Sequence, residues 1–265
     1  MKSAPARHKA RQYLDRLAAG GRYHFSSAEA RSALGSTAAK FALQRLARQG
    51  AIASPARGFY VIVPPEYRSL GCLPADQFIP ALMKTLKQPY YAGLLTAAQY
   101  HGAAHQRPQE FQVFLEKARL PIECGRVRVG FVVRNRLRDV PVQELNTPRG
   151  TLRISTPEAT ALDLVGYHRR AGGLEQVVTV LSELAERLDP DKLAAAAASA
   201  PVAWSQRLGH LLERAGARAK TAPLKRYVQT NAHDTVILLP RARARKTRRE
   251  GAWKLIVNVD AKPQL

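Results

Sequence analysis

The chain has 265 residues, 46% of them hydrophobic and 23% charged, which is ordinary globular usage with length for about two domains. No apolar run nears the roughly 18 residues that span a bilayer, and the basic N-terminus MKSAPARHKARQYL lacks the apolar stretch of a secretory signal; no membrane association is expected, and the compartment is read as cytoplasmic. Forty-two Lys and Arg against 20 Asp and Glu leave a net charge of +22, a field that attracts polyanions, nucleic acid first among them.

The charge sits at the two ends. Residues 1–63 hold 11 Lys/Arg against 2 Asp/Glu, and 218–254 again hold 11 against 2, whereas 64–217 hold 19 against 15. Two separate electropositive surfaces are expected rather than one uniform coat. Cys72 and Cys124 are too few for a zinc ribbon or a disulfide framework, and in a cytoplasmic chain they are expected to be reduced.

In chain order, residues 6–18 read as a helix with Tyr13, Leu14 and Leu17 at helical spacing and Gly20-Gly21 as its stop. Ser26 and Glu29 have the spacing of a capping box, in which each side chain satisfies an orphan amide, and so open a short helix that ends at Gly35. Ser36 is expected to cap a third helix running from Thr37 to about Gln49. Ala39, Ala42, Leu43 and Leu46 give that helix a core face. Thr37, Lys40, Gln44 and Arg48 form a row of donors on the other side, flanked by Arg45. Gln and Arg suit base edges, and Lys with the terminal amides suits phosphates. A strand over Ala51–Ser54, a turn at Pro55–Gly58 and a strand over Phe59–Val63 follow. Helix, helix, helix and hairpin outline a winged helix-turn-helix over residues 1–65. Ser36, Thr37, Lys40, Gln44, Arg45 and Arg48 are its candidate groove residues and Arg57 its wing residue.

Residues 66–75 read as a linker. Beyond it lie a helix over Asp76–Leu86, strands over Phe111–Leu115, Val127–Val133 and Gly150–Ser155, and a helix opened by Thr156-Pro157-Glu158. Thr156 suits the cap, Pro157 the first turn and Glu158 the positive helix end. Leu174, Val177, Val178, Leu181, Leu184 and Leu188 form an amphipathic stripe. Helices over Leu193–Ala200 and Trp204–Ala215 follow, then strands over Thr235–Leu239 and Trp253–Val259. The basic segment between those strands reads as an exposed hairpin loop over 240–251. Its Arg241, Arg243, Arg245, Lys246, Arg248 and Arg249 form a candidate second surface for DNA, RNA or an acidic partner.

Several stretches together carry a resemblance: GFYVIVPPEY, YYAGLLTAAQYHGAAHQRPQEFQVF, TLRISTPEATALDLV and, near the end, WKLIVNV. The sequence resembles the AbiEi-type antitoxins of type IV toxin–antitoxin and abortive-infection systems, well over residues 8–185 and loosely beyond. The fold expected is α+β: a winged helix-turn-helix (1–65), then a larger mixed α/β antitoxin-like domain (76–265), with a subdivision near residue 170. The resemblance implies a repressor that binds double-stranded DNA at its own promoter, at an inverted repeat engaged by two copies. It also implies a functional partner, a nucleotidyltransferase-like toxin, counteracted without a stable complex.

No residue pattern points to catalysis, a metal or a cofactor. His101 and His105 are four apart, a spacing for two metal ligands on a helix, but no third ligand is evident and a capped or half-buried histidine is the plainer reading. Glu158 and Asp163 are five apart, about 140° around a helix, and do not converge; Asp163 is expected to meet a backbone or Arg partner. Lys254 and Asp260 lack the carboxylate cluster a Mg²⁺ nuclease needs. Two rival functions remain at this level: a divergent nuclease fused to a winged helix, and an RNA- or protein-binding module using the Arg-rich loop.

Overall fold

The computed structural model describes residues 4–103, 108–240, 242 and 247–261. In chain order their elements are α1 (Ala4–Ala19), β1 (His24–Ser26), α2 (Ser27–Leu34), α3 (Ser36–Arg48), β2 (Ile52–Ala56), β3 (Phe59–Ile62), α4 (Ala75–Leu86), β4 (Tyr90–Ala92), α5 (Leu94–Tyr100), β5 (Phe111–Leu115), β6 (Ile122–Cys124), β7 (Val127–Val133), β8 (Val142–Thr147) and β9 (Gly150–Ser155). Then come α6 (Pro157–Gly166), α7 (Leu174–Leu184), α8 (Pro190–Ala197), α9 (Val202–Arg214), α10 (Ala222–Asn231), β10 (Val236–Ile237), β11 (Arg248–Glu250) and β12 (Leu255–Val257). The class is mixed α and β, as expected. Two compact units share the chain, each discontinuous in sequence: Met1–Tyr90, Gln109–Val133 and Glu144–Arg153 form one, Tyr91–Pro108, Arg134–Gln143 and Ile154–Leu265 the other.

In the first unit, α1 to α3 cover a three-stranded antiparallel sheet of order β1-β3-β2. Strand β1 is too short for its alternation to be read in the sequence. It is specified by Phe25, which is buried, meets the Tyr13 ring edge-on at 5.5 Å and stacks on Tyr60 at 5.5 Å. Such ring pairs add about 0.5–1.5 kcal/mol beyond their burial. The core continues through Ala10, Leu14, Ala30, Leu43, Leu46 and Ile52.

The same unit holds β5 paired in parallel with β7, and β6 antiparallel to β7. The segment expected as a linker is not a free tether. Pro65–Tyr67 forms a 3-10 turn, and Cys72 and Leu73 between the prolines and glycines are fully buried. The Leu70 carbonyl accepts the Arg126 amide at 2.7 Å. That approach requires Gly125: its φ is +59°, and a Cβ there would fall 2.1 Å from the Leu70 oxygen. The two free cysteines meet here. Cys72 hydrogen-bonds Cys124, and that bond together with burial pushes its thiol far up.

Arg149, in the β8–β9 turn, closes this unit over a long stretch of chain. Its guanidinium lies 3.4 Å from the centre of the Tyr23 ring. Its Nε donates to Gln77 Oε1 at 2.7 Å and its Nη2 to Glu66 Oε1 at 3.3 Å.

The second unit is built around α6. Thr156 accepts the Ala159 amide at 3.3 Å and Pro157 occupies the first turn, as expected. Glu158 through Val165 are all buried, the signature of a helix enclosed on every side; α5, α7, α8 and α9 surround it. The expected stripe of α7 is buried residue for residue, with Leu188 just beyond a 3-10 turn. A Cβ on Gly166 would fall 2.4 Å from the Trp204 ring, so the end of α6 meets α9 over a bare backbone.

The C-terminal strands correct one expectation. The strands on either side of the basic segment are not a hairpin pair, because β10 and β12 run parallel, Val236 opposite Leu255. Parallel neighbours need a crossover connection rather than a tight turn. The antiparallel partner of β12 is β11, formed by Arg248–Glu250 themselves. Helix α10 was not expected. Pro223 in its first turn and the buried Leu224 and Val228, four apart, are its signals.

Candidate nucleic-acid interface

The interface starts from the turn between α2 and α3. Ser26 Oγ accepts the Glu29 amide at 3.1 Å, and the Glu29 carboxylate accepts the Ser26 amide at 2.7 Å. The capping box read from the sequence is present. Arg22 pairs with Glu29, and the hydrogen bonds from Ser26 and Arg22 hold the Glu29 carboxyl below its ordinary range, outweighing the opposing burial. Helix α2 is thereby pinned at its start.

Helix α3 then begins one residue earlier than expected. Its N-cap is Gly35, at φ 85°, with no side-chain cap, so Ser36 is the first helical residue and not the cap. Glycine takes the position because the turn needs a positive φ. Ala39, Ala42, Leu43 and Leu46 are buried, as their spacing predicts. Ser36, Thr37, Lys40, Gln44 and Arg48 are exposed, while Arg45 is half-buried. Among the described residues no hydrogen bond or ion pair holds the side chains of Lys40, Gln44 or Arg48. A shallow groove beside them is lined by Ser27, Arg31, Ser36, Lys40, Gln44 and Tyr60. Arg57 is exposed at the β2–β3 turn, and Ser54 Oγ bonds the Ala56 and Phe59 carbonyls across the base of that turn at 3.0 and 3.1 Å.

Sequence reasoning passed over one residue of α3. Phe41 is 61% exposed, an apolar side chain on the polar face. That mismatch with the core periodicity was its signal in the sequence.

Of the second basic surface, Arg248 and Arg249 are exposed on β11. Arg241, Arg243, Arg245 and Lys246 lie outside the described residues.

The polar residues of the second unit form a buried network. Arg134 Nη1 donates to Asp163 Oδ1 at 2.5 Å, and the Tyr91 hydroxyl to Asp163 Oδ2 at 2.8 Å. Arg134 also donates to the Ser199 carbonyl at 3.2 Å and lies 5.2 Å from the centre of the Trp204 ring. Asp163 thus has the Arg partner expected of it. Burial pushes its carboxyl up to about 6, against the pull of Arg134 and Tyr91. Glu158 does more than favour a helix end: its Oε1 accepts the Asp189 amide at 3.1 Å, and Asp189 in turn caps α8. His101 stands at the C-cap of α5, bonded through Nε2 to the Ser155 carbonyl at 2.8 Å, and burial lowers its pKa. His105 lies outside the described residues. Among the described residues no cluster of three His, Cys, Asp or Glu could hold a metal, and no helix is long and apolar enough to cross a membrane.

This network runs from Tyr91 to Trp204, and those are almost the limits of a family match. Residues 91–214 match the model of the AbiEi antitoxin C-terminal domain. Of the resemblance read over 8–185, the match bears out the part from residue 91 onward, and it reaches further, to residue 214. The matched region includes α6 and the whole Arg134–Asp163 network. No curated protein matches the chain. Among solved structures, the crystal structure of the RV2827C protein from Mycobacterium tuberculosis is similar with a TM-score of 0.68. The likeness covers 94% of this chain and 91% of that one at 17% identity, and is one of fold.

Proposed function

We propose that the chain is a sequence-specific, DNA-binding transcriptional repressor and the antitoxin of a type IV toxin–antitoxin system. In this reading residues 1–65 are a winged helix-turn-helix, with α3 in the major groove and Arg57 on the wing. Residues 76–265 are the antitoxin portion, and the Arg-rich segment 240–251 is a second phosphate contact. The protein is regulatory and catalyses nothing. It represses its own operon by binding an inverted repeat as two copies, and it counteracts a nucleotidyltransferase-like toxin encoded beside it.

One observation carries the DNA-binding half: the outer face of α3 presents Thr37, Lys40, Gln44 and Arg48 to solvent on a helix whose opposite face is fully packed. Gln can pair with adenine and Arg with guanine through two hydrogen bonds each, about 1–3 kcal/mol of discrimination per contact. The antitoxin half rests on the family of residues 91–214.

The test is fluorescence anisotropy at about 150 mM salt, a strength at which non-specific phosphate binding is weakened. The chain's own upstream DNA is compared with a scrambled duplex, using the wild type and the double variant Gln44→Ala plus Arg48→Ala. Tight binding to the upstream duplex, lost in the double variant, is the expected result. Equal binding to both duplexes, falling steeply with salt, would leave a non-specific polycation and sink the repressor reading.

A further inference from the structure

Phe41 is the second most exposed large apolar side chain among the described residues. It is not a frayed core residue. Its neighbours Ala39, Ala42, Leu43 and Leu46 take the whole buried face of α3, and the helix is tied at both ends. At about 100° per residue, Thr37, Phe41, Gln44 and Arg48 fall within about 60° of one another. Phe41 therefore stands on the outward face at the edge of the row, one turn from Thr37 on one side and from Gln44 on the other. Lys40, Arg45 and Arg48 are cations of the same helix, one, four and seven positions from it.

An exposed aromatic ring is costly in water, and its setting selects what would cover it. Three cations on the helix that carries the ring disfavour docking into an apolar protein pocket, since their charges would lose water without partners. The same cations match a groove walled by phosphates. Inside the major groove the apolar feature offered by a base is the C5 methyl of thymine.

We propose that Phe41 is a specificity-determining residue that reads thymine by packing its ring against that methyl group. The proposal rests on the DNA-binding reading above and deepens it, because it names one base of each half-site. Phe41 and Gln44 lie about 4.5 Å apart along the helix axis, close to the 3.4 Å base step of a strand. The thymine is thus placed beside the base that Gln44 reads.

The experiment uses the full chain and a randomised duplex library. The enriched duplex is resynthesised with deoxyuridine in place of each thymine in turn, which removes the methyl and leaves every hydrogen bond. Affinities are measured for the wild type and for Phe41→Ala, whose exposed position leaves the thermal midpoint unchanged. The expected result is one thymine per half-site whose replacement weakens the wild type about fourfold, the value of one buried methyl. Phe41→Ala binds the thymine duplex more weakly and shows no penalty for deoxyuridine at that position. An enriched duplex that needs Gln44 and Arg48 but is indifferent to deoxyuridine and to Phe41→Ala would overturn the assignment of Phe41 and leave the repressor reading standing. A library in which no duplex is enriched overturns both.

Discussion

Arg48 and Arg134 are the same side chain in two opposite settings. Arg134 is 3% exposed and meets a carboxylate, a carbonyl and an indole ring. Arg48 ends an exposed row on α3, and no described residue pairs with it. Removing a partner from a buried ion pair leaves an uncompensated charge in a medium that solvates it poorly. Removing an exposed arginine leaves water in its place. The first set of polar groups therefore defines the fold of the antitoxin domain, while the second is left to whatever approaches from solvent.

That contrast can be broken at several points. The largest effect is expected from Arg134→Met, which leaves Asp163 buried without its partner and should cost about 3–5 kcal/mol in urea denaturation; a loss under 1 kcal/mol would mean the network is wetter than its burial indicates. The next concerns pH. A carboxyl at about 6 in the folded chain and near 3.8 unfolded binds its proton more tightly when folded. Its contribution to stability therefore grows as pH falls from about 6 toward 4. The advantage of the wild type over Asp163→Asn should widen by roughly 2–3 kcal/mol between pH 7 and pH 4. A narrowing advantage would show Arg134 holding the carboxylate ionised through that range.

Gly166→Ala drives a methyl into the Trp204 ring and should cost about 1–3 kcal/mol, read as a lower thermal midpoint; an unchanged midpoint would place slack between α6 and α9. The smallest effect sharpens the other side. Gln44→Ala plus Arg48→Ala should leave stability within about 0.5 kcal/mol of wild type. A larger loss would make these residues structural and weaken their assignment to DNA.

How much of this was legible in the sequence follows from the distance between interacting residues. The Ser26–Glu29 box, the Thr156-Pro157-Glu158 start, the two faces of α3 and the stripe of α7 all operate over one to four turns of chain, and the residues themselves announce them. Asp163 could be read as needing a backbone or arginine partner. Nothing local says that the arginine is 29 positions upstream, or that Tyr91 comes from 72 positions away. Strands β1, β4, β6, β8 and β11 went unread: all but β8 have three residues each, too few to show a period of two, and β8 mixes polar and apolar residues without a buried face. The supposed C-terminal hairpin failed for the same reason, since strand direction is decided by partners and not by the segment between them. Phe41 was missed differently: attention to a row of donors passed over the one apolar residue within it.

The stacking of Arg149 on Tyr23 bears on how such proteins could exchange their specificities. A segment that ended at residue 65 would look portable, ready to be fused to another body. Tyr23 and Glu66, however, are held by a residue more than eighty positions further on. A chimera joined near residue 65 would inherit α3 and lose the guanidinium that covers Tyr23. A working graft has to carry the 144–153 turn along with that segment, so recombination among relatives should favour exchange of both pieces together.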